Sequence, residues 1–570
     1  MKKIYLFALV AIMGTFAAFS QVTTSKIEGV VSDDTSAGLF GASVVAKHVP
    51  TGTVSGTVTS DNGRYSLQNL RIGGPYTITI SYVGFKTVEY TDVYLALGNT
   101  FDLNVKMVAD SEQLAEVVIT SGKNSTFNNS RTGAKTSVGR RELTKLPTIS
   151  RSASDFTRLE PSATGGSFGG RNDQFNNFTL DGSIFSNPFG LDAATPGGQT
   201  DAQPVSLDAI EQISVSTAPY DVTLSGFTGA SINAVTKSGT NTVTGTVYGY
   251  FRNQDLTGSK IKGQNIFVPK LEQKQYGFSL GAPLVKDKLF VFVNYEQDNR
   301  SDLGQNWLPN TGTGSLTESR VLLSDLQHVQ SQLRSIGYEP GEFQGFIHNS
   351  DSKKGIIKFD WNINNKNRVS FVYNFLNASK DKTAHPTALG FRGPNSQMLQ
   401  FENSGYQINN KLQSFLMELN STLADNVTNK LQVGYTHFDD FRTPMSAPMP
   451  AFRIQKDGGN YIVAGHEPFS IHNKLDQKVF QLTDNLNIQK GDHNYTIGFS
   501  YEKFQFDNSF NLGAYGFGDA RGYVGAFFGD FGNMAGFDAA ISNGLLADAM
   551  AAAKNTFDTK NAANSWNMAE

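Results

Sequence analysis

Few side chains in this sequence are placed to do bond chemistry. His437-Phe-Asp439-Asp440 sets an imidazole beside two carboxylates, a group that could hold or shuttle a proton. It falls where a strand runs into a long loop, however, and a charge pair there is ordinarily solvated rim. His466-Glu467 begins a zinc-peptidase motif but lacks the second histidine. None of the eight histidines opens an H-x-x-E or H-E-x-x-H pair. The glycine pairs Gly165-Gly166, Gly169-Gly170 and Gly197-Gly198 are spaced too loosely to cradle a phosphate ahead of a helix, and read instead as turns. No catalytic group, metal or cofactor is therefore expected. The one segment with a definite chemistry uses its backbone. Glu116-Val117-Val118-Ile119-Thr120 is a short β-former in acidic, polar surroundings. It could be one more strand of the domain before it, or it could lend main-chain hydrogen bonds to another protein's sheet edge. Its place after one domain and before the next favours lending.

The elements that position these residues follow from alternation. Tyr495, Ile497, Phe499 and Tyr501 fall on one face of a strand, and Thr496, Gly498, Ser500 and Glu502 on the other. Ile357/Phe359/Trp361 against Lys358/Asp360/Asn362 repeats the pattern, as does Tyr276/Phe278/Leu280 against Gly277/Ser279. From Thr242 on there are about nine such segments. Tight links fall at Lys286-Asp-Lys288, Asn364-Asn-Lys366, Ala424-Asp-Asn426 and Lys490-Gly-Asp492, and long ones over residues 253–271, 299–352, 379–408 and 440–473. Short turns on one rim and long loops on the other describe a transmembrane barrel with its apolar face outward. A surface adhesin or structural β-protein without transport is the alternative. Within the long loops, Ser315–Ile336 has helical spacing at Leu322, Leu326, Val329 and Leu333. It is expected to pack on neighbouring loops. Residues 511–570 read as loop and an Ala-rich helix over Phe537–Lys554, adding no strand pairs.

Composition agrees. The chain has 42 Phe and 20 Tyr against 3 Trp and 10 Met, a balance suited to strands. A mean hydropathy of −0.30 is compatible with a barrel, whose strands are half polar. The net charge of −3, without a basic stripe, gives no footprint for nucleic acid. With no cysteine, disulfides, thiol catalysis and a lipoprotein anchor are all removed. Lys2-Lys3, the apolar Ile4–Phe19 and Ala18-Phe-Ser20 form a signal peptide over residues 1–20. Its core of about 16 residues is shorter than the roughly 20 that span a bilayer.

Residues 21–108 read as a small β-sandwich, with strands near Ile27–Val31, Ala42–Lys47, Gly52–Ser60, Gly63–Leu67, Tyr76–Val83 and Phe101–Met107. Gly29-Val-Val-x-Asp33, Gly41-Ala-x-Val44, Thr59-x-Asp61-Asn-Gly-x-Tyr65-x-Leu67 and Tyr82-x-Gly84-Phe85 resemble the carboxypeptidase-regulatory-like domain. A linker over 109–121 carries the β-forming segment. Residues 122–240 are mixed, helical at Arg140–Lys145 and Arg151–Leu159, with strands at Asn177–Leu180 and Ile210–Ser216.

The ordered set in that mixed region carries a second resemblance. Leu146-Pro, Gly170-Arg171-Asn172, Asn177-Phe-Thr-Leu180-Asp181-Gly182, Asn187-Pro-Phe189-Gly190 and Pro196-Gly-Gly198 lead it. Leu207-Asp-Ala-Ile210, Ala218-Pro-Tyr-Asp221, Gly226-Phe-Thr-Gly229 and Ile232-Asn-Ala-Val-Thr-Lys237 complete it. It resembles the plug of TonB-dependent outer-membrane receptors of the Oar-like group found in Bacteroidetes and relatives, and departs from the SusC-like plug pattern. The resemblance implies a mainly β protein: a sandwich over 21–108, a mixed α/β plug over 122–240, and the first part of an antiparallel transmembrane barrel over 241–510. About 22 strands are implied for the whole wall, so the barrel is expected to be incomplete in this chain. Glu116 to Thr120 is similar to a TonB box. The implied partners are the TonB-ExbB-ExbD energising complex, outer-membrane lipid and a transported ligand, and the implied location is the cell outer membrane. Ligand would bind long loops and plug, and the plug would yield when the box is pulled. Arg140, Arg141 and Arg151 are candidates for pairing with inward wall acids such as Asp360 or Glu418.

Overall fold

The computed structural model describes residues 23–110, 117–120, 135–148, 151–152, 154–186, 195, 197–217, 223–224, 226–384, 393–491, 493–511, 517–518, 524–525, 527–563, 566 and 568–569. Alternating sequence builds its largest element, a ten-stranded sheet in which each long strand pairs with the next one along the chain. The strands are Thr244–Asn253, Leu271–Val285, Leu289–Leu303, Ile347–Asn362, Asn367–Lys382, Tyr406–Ala424, Val427–Pro444, Asn473–Lys490, His493–Ser509 and the two-residue Met568–Ala569. All neighbours are antiparallel, with Phe359 opposite Phe371 and Tyr373 opposite Phe415. Ile357, Phe359 and Trp361 are 39%, 38% and 45% exposed, while Lys358 and Asp360 between them are 6% and 1% exposed. A soluble sheet does the reverse. Exposing aromatic and aliphatic rows while covering lysine and aspartate is favourable where the outer medium is hydrocarbon. Among the described residues the margins of the sheet are Thr244–Asn253 and His493–Ser509, the latter bridged by Met568–Ala569.

The polar face is covered by a five-stranded sheet containing Lys135–Gly139, Ile210–Ser216, Ser231–Thr236, Asn177–Leu180 and Ser183–Ile184. Helix Arg140–Lys145 forms as the sequence suggests, and the second helix is shorter, Ser154–Thr157. Phe178, Ile213 and Ile232 of this inner layer share one core with wall residues Phe292, Leu412 and Phe438.

Residues 23–110 form two facing sheets. One joins Arg64–Leu70, Ser25–Ser32, Thr100–Asp102 and Val105–Lys106, and the other Thr53–Val58, Ser43–His48, Gly73–Ser81 and Val88–Leu95. No two-residue alternation marks Val88–Leu95 in the sequence. Its buried side chains switch from even to odd positions, Val88 then Val93 and Leu95, because a bulge inserts one residue against Gly73–Ser81. Asp92 takes φ 57° there, so the two-residue period is broken in mid-strand.

The long links are a folded cap rather than separate loops. Leu399–Gln400, Gly459–Ala464, Ala451–Lys456 and Phe527–Phe531 form a four-stranded sheet beside helices Leu323–Ser335, Met534–Ser542 and Leu545–Ala563. Leu326, Val329 and Leu333 are buried with Phe401, Phe452 and Phe537. The expectation that residues 511–570 add no strand pairs is therefore corrected. Phe527–Phe531 runs parallel to Ala451–Lys456, held by Arg453 on Asp530 at 2.7 Å, and Met568–Ala569 bonds to Asn508 and Ser509. Spaced Gly and Phe residues carry no two-residue period, so these pairs arise only from tertiary packing.

Candidate functional site

The inner layer is gripped by the wall at charged points. Asp181 and Gly182 form the tight turn between Asn177–Leu180 and Ser183–Ile184, at φ 52° and 96°, where Asp-Gly is the favoured pair. The turn turns Asp181 into the wall. Lys358 Nζ lies 3.1 Å from Asp181 Oδ1, and both side chains are under 10% exposed (8% and 6%). Thr236 donates to the same carboxylate from its backbone N–H at 3.1 Å and its hydroxyl at 2.5 Å. Gln481 donates to the Gly182 carbonyl at 3.0 Å. A second grip is Glu296, which accepts from Ser206 of the inner layer at 2.8 Å and pairs with Lys354 at 2.9 Å.

The small sandwich sits at the short-turn rim. Arg71 Nη1 reaches Asp360 at 3.0 Å, Thr23 donates to Glu418 at 2.7 Å, and Arg368 donates to the Asn69 carbonyl at 3.0 Å. Asn362 donates to Thr53, Asn494 to Glu28, and Thr57 to the Asp425 carbonyl. Between sandwich, inner layer and wall lies a polar cavity of about 260 Å³ lined by His48, Arg71, Asp181, Lys358, Arg368 and Glu418. His48 within it is pushed down to about 3, first by burial and then by the positive charges of Arg71 and Arg368.

These contacts correct the expected arginine pairs. Asp360 is taken by Arg71 and Glu418 by Lys430 at 3.5 Å, both outside the set named from sequence. Arg151 instead stacks over the Tyr250 ring at 4.1 Å and donates to its hydroxyl at 2.8 Å. The two wall acids lie near the short turns, within reach of the sandwich, and nothing in one-dimensional sequence marks Arg71 or Thr23 as their partners.

The remaining sequence candidates fall as follows. Arg171 and Asn172 are exposed, and Asn172 caps a short turn by accepting from the Gln174 N–H at 2.9 Å. Asn177 and Leu180 are buried in the inner sheet. Asn187, Phe189 and Glu116 lie outside the described residues. Val117–Thr120 forms a strand paired in parallel with Val88–Thr91. His437 does not meet Asp440; its Nε2 lies 3.1 Å from Asp476. His466 is buried, its Nδ1 3.1 Å from the Ala447 carbonyl.

A wall greasy outside, an inner layer clamped on its polar face, and a sandwich at the short-turn rim define part of an outer-membrane barrel with an internal plug. The chain belongs to the family described as outer membrane beta barrel domain, whose model matches residues 235–319 and 335–569. Residues 26–108 match the carboxypeptidase regulatory-like domain. The protein resides in the outer membrane. It is similar to the TonB-dependent transporter Oar of Myxococcus xanthus, 27% identical over 299 residues, covering 49% of this chain and 27% of that one. Similarity extends to the TonB-dependent receptor SusC of Bacteroides thetaiotaomicron, 32% identical over 145 residues, covering 25% of this chain and 13% of that one. Sequence reading had set that group apart by its plug pattern. The matches thus span 27% or less of these curated relatives' lengths. Among solved structures, the Escherichia coli outer membrane transporter YddB aligns with TM-score 0.45 at 14% identity, over 66% of this chain and 48% of that chain.

Proposed function

We propose that the chain carries the gate and part of the wall of an outer-membrane active-transport receptor. The cap and outer plug receive a ligand, and TonB, driven with ExbB and ExbD, pulls on Glu116–Thr120 to displace the plug. The observation that carries this reading is the clamp of Lys358 on Asp181. It joins two layers that meet through side chains, charged ones at this clamp and apolar ones in their shared core, whereas the wall is held by continuous backbone ladders along its whole length. When force is applied, the layer with the fewest bonds yields, and the wall cannot open within lipid. The names of the two relatives support the same reading, as both are TonB-dependent. No catalytic step is required, since the work is supplied from the inner membrane.

The test replaces Val118 with proline, removing one main-chain donor and fixing φ. Energised uptake is expected to collapse while ligand binding at the cell surface persists. Uptake at the parent rate would sink the assignment of the box.

A further inference from the structure

Val117–Thr120 is seated on the regulatory-like domain. It runs parallel to Val88–Leu95, with Val88 opposite Val117, Glu89 opposite Val118, Tyr90 opposite Ile119 and Thr91 opposite Thr120. The segment is the outermost, fifth strand of the sandwich sheet that joins Thr53–Val58, Ser43–His48, Gly73–Ser81 and Val88–Leu95. We infer that the outer edge of Val88–Leu95 is a strand-docking surface whose resident occupant is the chain's own box, so that TonB must take the box by strand exchange. This rests on the proposed reading of residues 116–120.

Four features of the fold favour an exchangeable strand. An uncovered sheet edge is an open template for pairing, and the box covers this one. The pairing stops at Thr91, because the bulge and the positive φ of Asp92 end the regular edge one residue later. It is parallel and four pairs long, whereas Ser43–His48 makes six antiparallel pairs with each of its neighbours. Parallel ladders are slightly weaker per residue, so this is the strand of the sheet that leaves most readily. Finally, the chain departs the domain at Asp110, whose N–H donates to the Gly84 carbonyl at 2.9 Å, and returns at Val117. So short a tether gives the box a local concentration on the order of millimolar at its own docking edge. TonB sees only the undocked fraction, and its apparent affinity falls by that fraction. The regulatory-like domain thereby sets a threshold for capture.

The chain has no cysteine, which permits a clean test in the full-length protein. Glu89→Cys with Val118→Cys places thiols at opposed positions, and Val88→Cys with Thr120→Cys is the off-register control. Each variant is oxidised in membranes and then assayed for capture of the purified periplasmic domain of TonB. The expected result is a cross-link in the first pair, little in the second, and capture weakened by roughly tenfold or more until a reductant restores it. Restoration in the reduced form shows that the variant is folded. If the first pair cross-links no better than the control while Val118→Pro abolishes capture, the docking is overturned and the box reading stands. If the pair cross-links but neither oxidation nor Val118→Pro alters capture, the box reading fails and the competition falls with it.

Discussion

Replacing Lys358 with methionine removes the cation from Asp181 while keeping most of the buried length of the side chain. Asp181 retains two donors from Thr236, at 3.1 and 2.5 Å, so its carboxylate is not stripped bare. Asp360 keeps Arg71 at 3.0 Å. Breaking a buried pair by removing one partner costs about 3–5 kcal/mol, and the surviving Thr236 bonds put this case near the lower figure. At about 1.4 kcal/mol per decade, a loss of about 3 kcal/mol raises the population of the undocked plug about a hundredfold. The population can be read by thiol labelling, since Ser231 is fully buried in the plug and Ser231→Cys introduces the chain's only thiol. Labelling of that thiol with a small maleimide is expected to speed up about a hundredfold in Lys358→Met. Adding Asp181→Asn, which tolerates the positive φ at that position, removes the stranded charge and should bring the rate back to within about tenfold of the parent. If the double variant labels as fast as the single one, the clamp is not electrostatic and the reasoning is refuted.

The same thiol reports on Gly182→Ala. A Cβ there stands 2.4 Å from the Gln432 amide at φ 96°, so a cost of about 1–2 kcal/mol and roughly tenfold faster labelling are expected. His48 gives a pH dependence. Its native value is depressed to about 3 from 6.5, so the native state binds fewer protons than the unfolded one. Stability is therefore full above pH 6.5 and lost, at about 1.4 kcal/mol per pH unit, as pH falls from 6.5 toward 3. Labelling of Ala46→Cys, normalised to a free thiol at each pH, should rise on acidification in the parent and stay level in His48→Gln. Leu326→Ala empties part of the cap core at a cost of about 2–5 kcal/mol. Trypsin cleavage of the cap on intact cells should increase while heat-modifiable migration of the wall is unchanged; an unaltered digest would mean that the cap core does not hold these links together.

The wall was legible because its information is periodic. Phe359 and Lys358 occupy opposite faces wherever the strand is placed, and the alternation of short and long links fixes which rim is which. Turn chemistry was equally local, as at the short links Lys286-Asp-Lys288 and Asn364-Asn-Lys366. Tertiary structure alone decided what touches what. Arg71 takes Asp360, and Thr23 takes Glu418, across separations of hundreds of residues that leave no trace in local pattern. The bulge at Asp92 hid Val88–Leu95 by shifting its period, and with it the edge on which Val117–Thr120 docks. Both sequence readings of that segment, a further strand of its own sandwich or a strand to be lent, used the same unpaired main-chain groups. Local sequence determines that such groups exist, because it sets which residues extend. Which edge satisfies them depends on the distance between folded layers, and that is fixed only when the layers pack.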